Sequence, residues 1–209
     1  MRSERLTIFV IDDDAAVRDS IALMLGLAGY RTSVFADAEA FLAAWKEDWA
    51  GCVIADVRLP GQSGVELQEE LRRRGVALPF IIITAHGDVP TARAAFRSQA
   101  VDFIEKPFDQ QQLCAAIDTS FGFEERRIER QDGQRADAEK LGRLTARERE
   151  VLEHAARGLH AKEIAVALGI SPRTVEVHKT RIMEKLNVRN VAELVRFAIA
   201  ATPSDGDRG

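Results

Sequence analysis

The stretch TIFVIDD, residues 7–13, decides the fold of the first half of the chain, because five apolar or β-branched residues there run directly into two carboxylates. Four similar runs follow, and stretches with helical periodicity separate them. The predicted strands are Thr7–Ile11, Arg31–Phe35, Cys52–Ala55, Phe80–Ile83 and Val101–Glu105. The predicted helices are Ala15–Ala28, Ala38–Asp48, Gly64–Arg74, Val89–Ser98 and Gln110–Phe121. Apolar strands that alternate with helices indicate an α/β domain with a doubly wound, five-stranded parallel sheet, which we expect over residues 1–122.

Polar side chains stand where four of these strands end. Asp12 and Asp13 follow the first strand, Asp56 the third, Thr84 the fourth and Lys106 the fifth. Ligands of open parallel sheets bind outside the carboxyl ends of the strands, so we expect these side chains to lie together. Three carboxylates in one crevice repel one another, and their hard oxygens suit a Mg²⁺ or Mn²⁺ ion.

This group of side chains could accept a phosphoryl group. Asp56 would attack the phosphorus, while the metal ion and Lys106 would neutralise phosphoryl oxygens and the Thr84 hydroxyl would donate to one of them. An alternative is that residues 12–14 form only a solvated turn before a helix, whose N-terminus favours negative charge. Asp14 is predicted to cap this helix rather than to bind a metal ion.

Four motifs at these strand ends carry a family resemblance. They are VIDD at residues 10–13, DVRLPG at 56–61, TAHGDVP at 84–90 and DFIEKPF at 102–108. Together they resemble the flavodoxin-like receiver domain of two-component response regulators, over residues 6–121. The last two motifs resemble most closely the FixJ branch of that family.

The resemblance implies a role for each residue of the pocket. The implied roles are these: Asp56 is the phosphoacceptor; Asp13, Asp56 and the Arg58 backbone carbonyl bind the metal ion directly; Asp12 binds it through water; Thr84 and Phe103 are switch positions; Lys106 contacts the phosphoryl group. The family also has a cis peptide at the position of Lys106-Pro107, which an X-Pro bond tolerates. For Phe103, packing in the core is a second interpretation that does not exclude the first.

His86 lies two residues beyond Thr84 and could border the phosphoryl group. One hypothesis is that His86, with the Arg58 side chain, sets how fast water attacks the phosphoryl group. The simpler interpretation is an exposed loop histidine.

The second half of the chain differs in charge from the first. Residues 1–122 carry 12 Lys and Arg against 18 Asp and Glu, a formal charge of −6, whereas residues 145–199 carry 10 against 7, a charge of +3. Only the second part is therefore expected to meet nucleic acid. Residues 123–143, with six charges of each sign, are predicted to be a linker, partly helical as an extension of the preceding helix. Residues 201–209 are predicted to be a disordered tail.

Residues 144–200 have the periodicity of four short helices. The predicted helices are Ala146–Arg157, Ala161–Leu168, Pro172–Leu186 and Val191–Ala200. Thr145 with Glu148 predicts a capping box, and Ser171 with Pro172 predicts an N-cap followed by proline at the first helical position. Helix, turn at Gly169 and helix are typical of a helix-turn-helix, whose second helix enters the major groove of DNA.

One face of the third helix is expected to contact DNA. Steps of about 100° per residue place Val175, His178, Ile182 and Leu186 towards the core and a polar set opposite them. The predicted DNA contacts are Lys162, Arg173, Lys179 and Arg181 to phosphates, Glu176, Val177 and Thr180 to base edges, and Thr174 beside them. The alternative is that Glu176 and Glu184 only balance the charge of the surface.

The motifs LTAREREVL at residues 144–152, KEIA at 162–165 and TVEVH at 174–178 resemble the LuxR-type four-helix DNA-binding domain. In that family the fourth helix commonly forms the dimer contact on DNA. The two resemblances together imply a DNA-binding response regulator that a sensor histidine kinase phosphorylates on Asp56. The implied partners are that kinase, double-stranded DNA, RNA polymerase and a second copy of the chain. The implied chemistry is limited to self-phosphorylation from a phosphodonor and autodephosphorylation, so no enzyme in the ordinary sense is expected.

The bulk composition narrows the remaining choices. No apolar run approaches the roughly 20 residues of a membrane span, and Cys52 and Cys114 sit in apolar surroundings, so a cytoplasmic protein with reduced thiols and no membrane partner is expected. Two alternatives stay open. One is a regulator whose DNA binding ignores phosphorylation. The other is a haloacid-dehalogenase-type phosphatase, with Asp12 as nucleophile and Asp14 as acid/base.

Overall fold

The computed structural model describes residues 6–85 and 100–190, together with residues 193, 194 and 197. The chain divides into two compact units, Met1–Ile128 and Glu129–Gly209. The predicted helix Val89–Ser98, most of the predicted helix Val191–Ala200 and the predicted tail lie outside the described residues.

The first unit is built on a five-stranded parallel sheet. Its strands are β1 (Thr7–Ile11), β2 (Arg31–Phe35), β3 (Gly51–Asp56), β4 (Phe80–Thr84) and β5 (Asp102–Glu105). They lie in the order β2-β1-β3-β4-β5, with every neighbouring pair parallel. The register sets Ile11 beside Ala55 and Asp56 beside Ile83. The ends of the three central strands therefore meet at one edge of the sheet, and the predicted fold class is confirmed.

Helices cover both faces of this sheet. They are α1 (Ala15–Leu27), α2 (Ala38–Ala44), α3 (Gly64–Arg73) and α4 (Gln110–Gly142). Ile8 and Val10 pack in one buried cluster with α1 and α4, whereas Phe9 and Ile11 pack in another with α2 and α3. Successive residues of a strand point to opposite faces, so an unbroken apolar run is what a doubly covered sheet requires.

The first residue of β3 has to be glycine. Gly51 has φ 145°, and a Cβ there would lie 1.8 Å from the backbone oxygen of Thr7. No other residue tolerates this approach, so β3 is held close to β1 from its first residue onward. At its other end, β3 carries Asp56.

Both cysteines are free and belong to the α1 side of the sheet. Cys52 is fully buried and Cys114 is partly buried against the same cluster. Burial raises the pKa of the Cys52 thiol, and the charge of Glu124 raises it further. Cys52 is therefore an inert part of the core, as its apolar flanks indicate.

The prediction that α2 reaches Asp48 is wrong, because the helix ends at Ala44. Trp45 has extended backbone angles, φ −54° and ψ 137°. Its ring lies 5.9 Å from that of Phe41 and 5.6 Å from that of Trp49, and Trp49 in turn stacks on Phe9 at 4.7 Å. Aromatic packing against the sheet thus replaces the last helical turns.

Helix α4 continues far beyond the predicted Gln110–Phe121 and includes residues 123–142 without a break, so the predicted linker is helical almost throughout. Ion pairs one turn apart support the extension, namely Glu124–Arg127 at 2.6 Å, Asp137–Lys140 at 3.3 Å and Glu139–Arg143 at 2.5 Å. Glu124 is fully buried and accepts a hydrogen bond from the Gly51 amide at 3.4 Å. Neither α4 nor any other helix within the described residues is long and apolar enough to cross a membrane.

The second unit contains α5 (Ala146–Ala156), α6 (Ala161–Leu168) and α7 (Pro172–Leu186). Val151, Ile164, Val175 and Ile182 form the centre of its core, and Leu194 packs with them. The capping box of Thr145 and Glu148 is present, Ser171 caps α7, and Gly169 ends α6 in a left-handed conformation with φ 65°. The predicted caps and helix-turn-helix are therefore confirmed.

Candidate functional site

Two buried carboxylates share one ammonium group at the carboxyl ends of the central strands. Lys106 Nζ donates to Asp12 Oδ2 at 2.8 Å and also to Asp56 Oδ2. Asp12 is 3% exposed and Asp56 is 9% exposed. The second oxygen of Asp56 accepts from the Arg58 amide at 2.8 Å. The predicted convergence of strand ends therefore brings three of the five predicted pocket residues into direct contact.

The two carboxylates keep Lys106 charged. Burial by itself lowers the pKa of the ammonium group, but the hydrogen bonds and negative charges of Asp12 and Asp56 outweigh burial, so the pKa of Lys106 lies above its ordinary value. A lysine in this state is a fixed positive charge, able to bind an anionic group that enters the pocket.

The other predicted pocket residues have distinct surroundings. Thr84 is buried, and its backbone oxygen accepts from the Lys106 amide at 2.7 Å, which ties the end of β4 to the end of β5. Phe103 is half-buried and packs against the α3 side of the core. Asp13 and the Arg58 side chain are exposed. His86 lies outside the described residues, and the Lys106-Pro107 bond is cis, as the resemblance implies.

Asp14 serves the helix and not the pocket. Its carboxylate accepts from the amides of Ala16 at 2.8 Å and Val17 at 3.4 Å, and so caps α1 as predicted. An Asp14 held in this way is not directed at Asp12 as an acid or base, so the phosphatase alternative gains no support from the geometry.

Two residues that support the pocket were missed from the sequence. Arg18 Nη1 donates to the backbone oxygen of Asp12 at 2.5 Å. Gly64 begins α3 so close to β3 that a Cβ would lie 2.3 Å from the backbone oxygen of Asp56. A signal for Arg18 was available, because a cation near a helix N-terminus opposes the helix dipole and needs a local reason.

The donor chemistry of the pocket fits a magnesium ion. As the side chains stand, no group of three or more His, Cys, Asp or Glu residues forms a metal cluster within residues 6–85 and 100–190. Asp12, Asp13 and Asp56 nevertheless supply only hard oxygen donors. Their three negative charges exceed the positive charges of Lys106 and Arg18 beside them. A site of oxygen donors with excess negative charge suits Mg²⁺, which prefers hard oxygen ligands.

The second unit presents the predicted polar face of α7 to solvent. Val175, Ile182 and Leu186 are buried, whereas Glu176 and Val177 are exposed, Val177 to 45%. The remaining predicted contacts that are exposed are Lys162, Arg173, Thr180 and Arg181. The burial thus follows the predicted division of the helix.

Three side chains of α7 depart from a simple outer face. Lys179 is only 13% exposed at its side chain and lies 3.4 Å from Glu176. Thr174 is half-buried, and its hydroxyl shares a hydrogen bond of 2.8 Å with Ser171. His178 is also half-buried, and its Nδ1 has no hydrogen-bond partner among the described residues. Packing is thus the main environment of His178, as expected.

Comparison with protein families assigns both units. Residues 8–118 match the response regulator receiver domain, and residues 142–198 match the bacterial regulatory proteins of the luxR family. The chain belongs to the response regulators that join a receiver domain to a LuxR-type DNA-binding domain. It is therefore a DNA-binding transcriptional regulator, and both predicted resemblances are confirmed. Receiver domains generally bind Mg²⁺ at the acidic pocket.

Individual relatives agree with this assignment over nearly the whole chain. The transcriptional regulatory protein FixJ of Azorhizobium caulinodans is 43% identical over 204 residues, which cover 98% of this chain and 97% of that protein. The solved structure of the response regulator StyR is 39% identical, with a TM-score of 0.82 over 93% of this chain and 98% of that one. Full-length FixJ from B. japonicum is 41% identical, with a TM-score of 0.58 over 95% of this chain and 98% of that one.

Proposed function

We propose that Asp56 accepts a phosphoryl group from a sensor histidine kinase and that this modification controls dimerisation and transcription. The single observation that carries the proposal is the shared ammonium group, because Lys106 bonds both Asp12 and Asp56 where the strands end. One cation between two buried carboxylates leaves negative charge unbalanced. The arrangement suits a site that binds a further cation and then a phosphoryl group.

Asp56 is the nucleophile of the proposed transfer. An oxygen of its carboxylate forms the bond to phosphorus while the bond from phosphorus to the donor, a phosphohistidine or a small phosphodonor, breaks. The Arg58 amide holds the other oxygen at 2.8 Å. Lys106 then donates to a phosphoryl oxygen instead of to Asp56, and the buried Thr84 hydroxyl donates to another.

Asp13, Asp56 and the Arg58 backbone carbonyl would hold Mg²⁺, or Mn²⁺, with Asp12 contributing through water. When bound, the ion would neutralise part of the negative charge on the phosphoryl oxygens. Among this chain's residues, Thr84 and Phe103 would respond to the phosphoryl group by adjusting the surface around β4 and β5. His86 and the Arg58 side chain would set how fast water removes it.

The second unit would bind double-stranded DNA through α7. Arg173 and Arg181, with Lys162 and Lys179, would contact phosphates. Glu176, Val177 and Thr180, with Thr174 beside them, would contact base edges. Two copies on neighbouring half-sites gain affinity from being tied together, so dimerisation would switch DNA binding. RNA polymerase is the further partner we propose. We also propose that the protein acts in the cytoplasm, where its DNA target would lie. Residues 123–143 would serve as the link from the receiver at residues 1–122 to the DNA-binding domain at 144–200.

The test is peptide mapping by mass spectrometry after the full chain is exposed to acetyl phosphate and Mg²⁺. We expect one phosphoryl group on Asp56 in the wild type and none in Asp56→Ala, with a shift to dimer in analytical ultracentrifugation for the wild type alone. Label on Asp12 would favour the phosphatase. Label on Asp56 with equal DNA affinity for wild type and Asp56→Ala would favour a regulator whose DNA binding ignores phosphorylation.

A further inference from the structure

The turn between β1 and α1 is held by side chains at three points. Asp12 Oδ1 accepts from the Asp14 amide at 2.9 Å, and the Asp14 carboxylate accepts from the first amides of α1. The third point is Arg18, one turn into the helix, whose guanidinium donates to the backbone oxygen of Asp12 at 2.5 Å. The first two contacts are ordinary capping. The Arg18 contact reaches back across six residues and is not part of a cap.

Arg18 occupies a position that helix energetics disfavour. A positive charge in the first turns of a helix is repelled by the helix dipole, and a half-buried arginine loses side-chain freedom. Its hydrogen bond to Asp12 offsets these costs. The contact that offsets these costs lies at the Asp12 carbonyl, which belongs to the peptide that joins Asp12 to Asp13.

The orientation of that peptide sets the direction of the backbone at Asp13, two residues beyond the end of β1. The Asp13 carboxylate is exposed and has no hydrogen-bond partner within the described part of the chain. Its position therefore depends on its backbone. The Arg18 bond is the side-chain contact that holds this backbone from the helix side.

We infer that Arg18 is a positioning residue, which orients the Asp12–Asp13 peptide so that Asp13 can bind a divalent cation beside Asp56. The inference rests on the proposed function. A positioning role and a purely electrostatic role predict opposite changes in Mg²⁺ affinity when Arg18 is replaced. Removing a nearby positive charge would by itself strengthen the binding of a cation, whereas losing the orientation of a ligand weakens it.

The experiment is a calorimetric titration of the full chain with Mg²⁺, comparing wild type, Arg18→Met, Arg18→Lys and Arg72→Met. Arg72 is exposed in the last turn of α3, so its replacement removes the same charge without touching the turn. We expect Arg18→Met to weaken Mg²⁺ binding roughly tenfold, the lower end of the cost of losing a group that orients a metal ligand. Arg18→Lys should lose less, because it keeps a donor, and Arg72→Met should match the wild type.

Phosphorylation by acetyl phosphate, followed against Mg²⁺ concentration, gives the second measurement. In Arg18→Met the half-saturating Mg²⁺ concentration should rise while the rate at saturating Mg²⁺ stays within about twofold of wild type. A purely structural defect would lower the unfolding temperature, seen in the fluorescence of Trp45 and Trp49, without this split. If Arg18→Met fails to fold, Arg18→Lys still tests the inference: it keeps the positive charge, so weaker Mg²⁺ binding in this variant would come from lost orientation alone, and unchanged binding would overturn the inference.

The outcomes separate this inference from the proposed function. Equal or tighter Mg²⁺ binding in Arg18→Met, with the wild type phosphorylated on Asp56, overturns the role of Arg18 and leaves the phosphoacceptor standing. Weaker binding in Arg18→Met, with no label on Asp56 in the wild type, supports the role of Arg18 and overturns the phosphoacceptor. A wild type that does not bind Mg²⁺ overturns the inference, whatever becomes of Asp56.

Discussion

Each unit of the protein contains a lysine that is bonded to buried carboxylate, and the two groups differ in their charge balance. In the receiver, Lys106 bonds two carboxylates, those of Asp12 and Asp56. In the DNA-binding unit, Lys185 bonds Glu148 alone, at 2.6 Å, across from α7 to α5. The balanced pair joins two helices of the same unit, and its charges cancel. The unbalanced group has one negative charge in excess, which can bind a ligand. The imbalance, more than the burial, distinguishes a site from a structural contact.

Removing the lysine from the unbalanced group should have the largest effect on stability. Lys106→Met leaves Asp12 and Asp56 facing each other with little solvent. We expect a loss of about 2–4 kcal/mol of receiver stability, somewhat less than for a fully buried pair that loses one partner, because the Lys106 side chain is partly exposed. Millimolar Mg²⁺ should restore part of it, since a cation then takes the place of the ammonium group.

Tryptophan fluorescence during urea unfolding measures this loss, because both tryptophans, Trp45 and Trp49, lie in the receiver. The matched control is Lys46→Met, at the other lysine of this unit, which is exposed. Mg²⁺ could raise the free energy of unfolding equally in wild type, Lys46→Met and Lys106→Met. That result would mean that the metal ion does not replace the ammonium group of Lys106.

The balanced pair should respond differently. Lys185→Met leaves Glu148, which is 4% exposed at its side chain, without its charge partner but still bonded to the Thr145 amide at 2.8 Å. We expect a loss of about 1–3 kcal/mol in the DNA-binding unit, smaller than for Lys106 because only one carboxylate loses its charge partner and no second carboxylate among the described residues faces it. Mg²⁺ should restore none of it.

Circular dichroism at the helix band, with the fluorescence signal of the receiver followed in parallel, separates this transition from that of the receiver. Lys162→Met is the control, since Lys162 is exposed on α6 and should change stability by less than about 0.5 kcal/mol. Rescue of Lys185→Met by Mg²⁺ would contradict the distinction between balanced and unbalanced pairs.

The residues of these two groups also show which features of the structure could be predicted from the sequence. Asp12, Asp56 and Lys106 were predictable because each ends an apolar strand, and parallel strands bring their ends to one edge. The caps at Thr145 and Ser171 were predictable because their partners lie three residues away.

Contacts between distant residues left no local signal. The partner of Glu148, 37 residues away, could not be inferred from spacing, nor could the close approach of Gly64 to β3. Helix α4 outran its predicted end because ion pairs such as Glu139–Arg143 favour a helix where a mixed charge pattern alone indicates a linker. Trp45 ended α2 early through ring packing, which overrides helical periodicity.

The pH dependence of the DNA-binding unit tests the balanced pair without removing a lysine. Burial tends to raise the pKa of Glu148, but the hydrogen bonds from Lys185 and Thr145 outweigh it and lower the pKa from 4.5 to about 2. A depressed carboxyl pKa stabilises the fold above the unfolded value, so this contribution is complete above pH 4.5 and is lost as pH falls towards 2. We expect a loss of about 1–2 kcal/mol over that window, discounted for the partly exposed lysine.

Glu148→Gln should flatten this acid limb, measured by urea unfolding at the helix band between pH 5 and pH 2. The receiver has its own acid limb from Glu66 and Glu70, whose pKa values are lowered by Ser63 and by Arg74 and Arg73. Tryptophan fluorescence follows that limb separately. An unchanged helix-band slope in Glu148→Gln would show that the pair contributes no pH-dependent stability.

The smallest effect concerns charges that belong to neither pair. Arg181 lies exposed on α7 and has no buried ion-pair partner among the described residues, so Arg181→Ala should leave stability within about 0.5 kcal/mol of wild type. Binding to a random-sequence DNA duplex should weaken severalfold, and the slope of log affinity against log salt should fall by about one, the value for one phosphate contact.

Fluorescence anisotropy over a series of salt concentrations gives both the affinity and the slope. The matched control is Arg157→Ala, because Arg157 is exposed just beyond α5 and outside the predicted contact face. An equal slope for the two variants would mean that the α7 face does not meet the phosphates. A lower slope for Arg181→Ala alone would show that this phosphate contact comes from a surface charge that belongs to neither of the two buried groups.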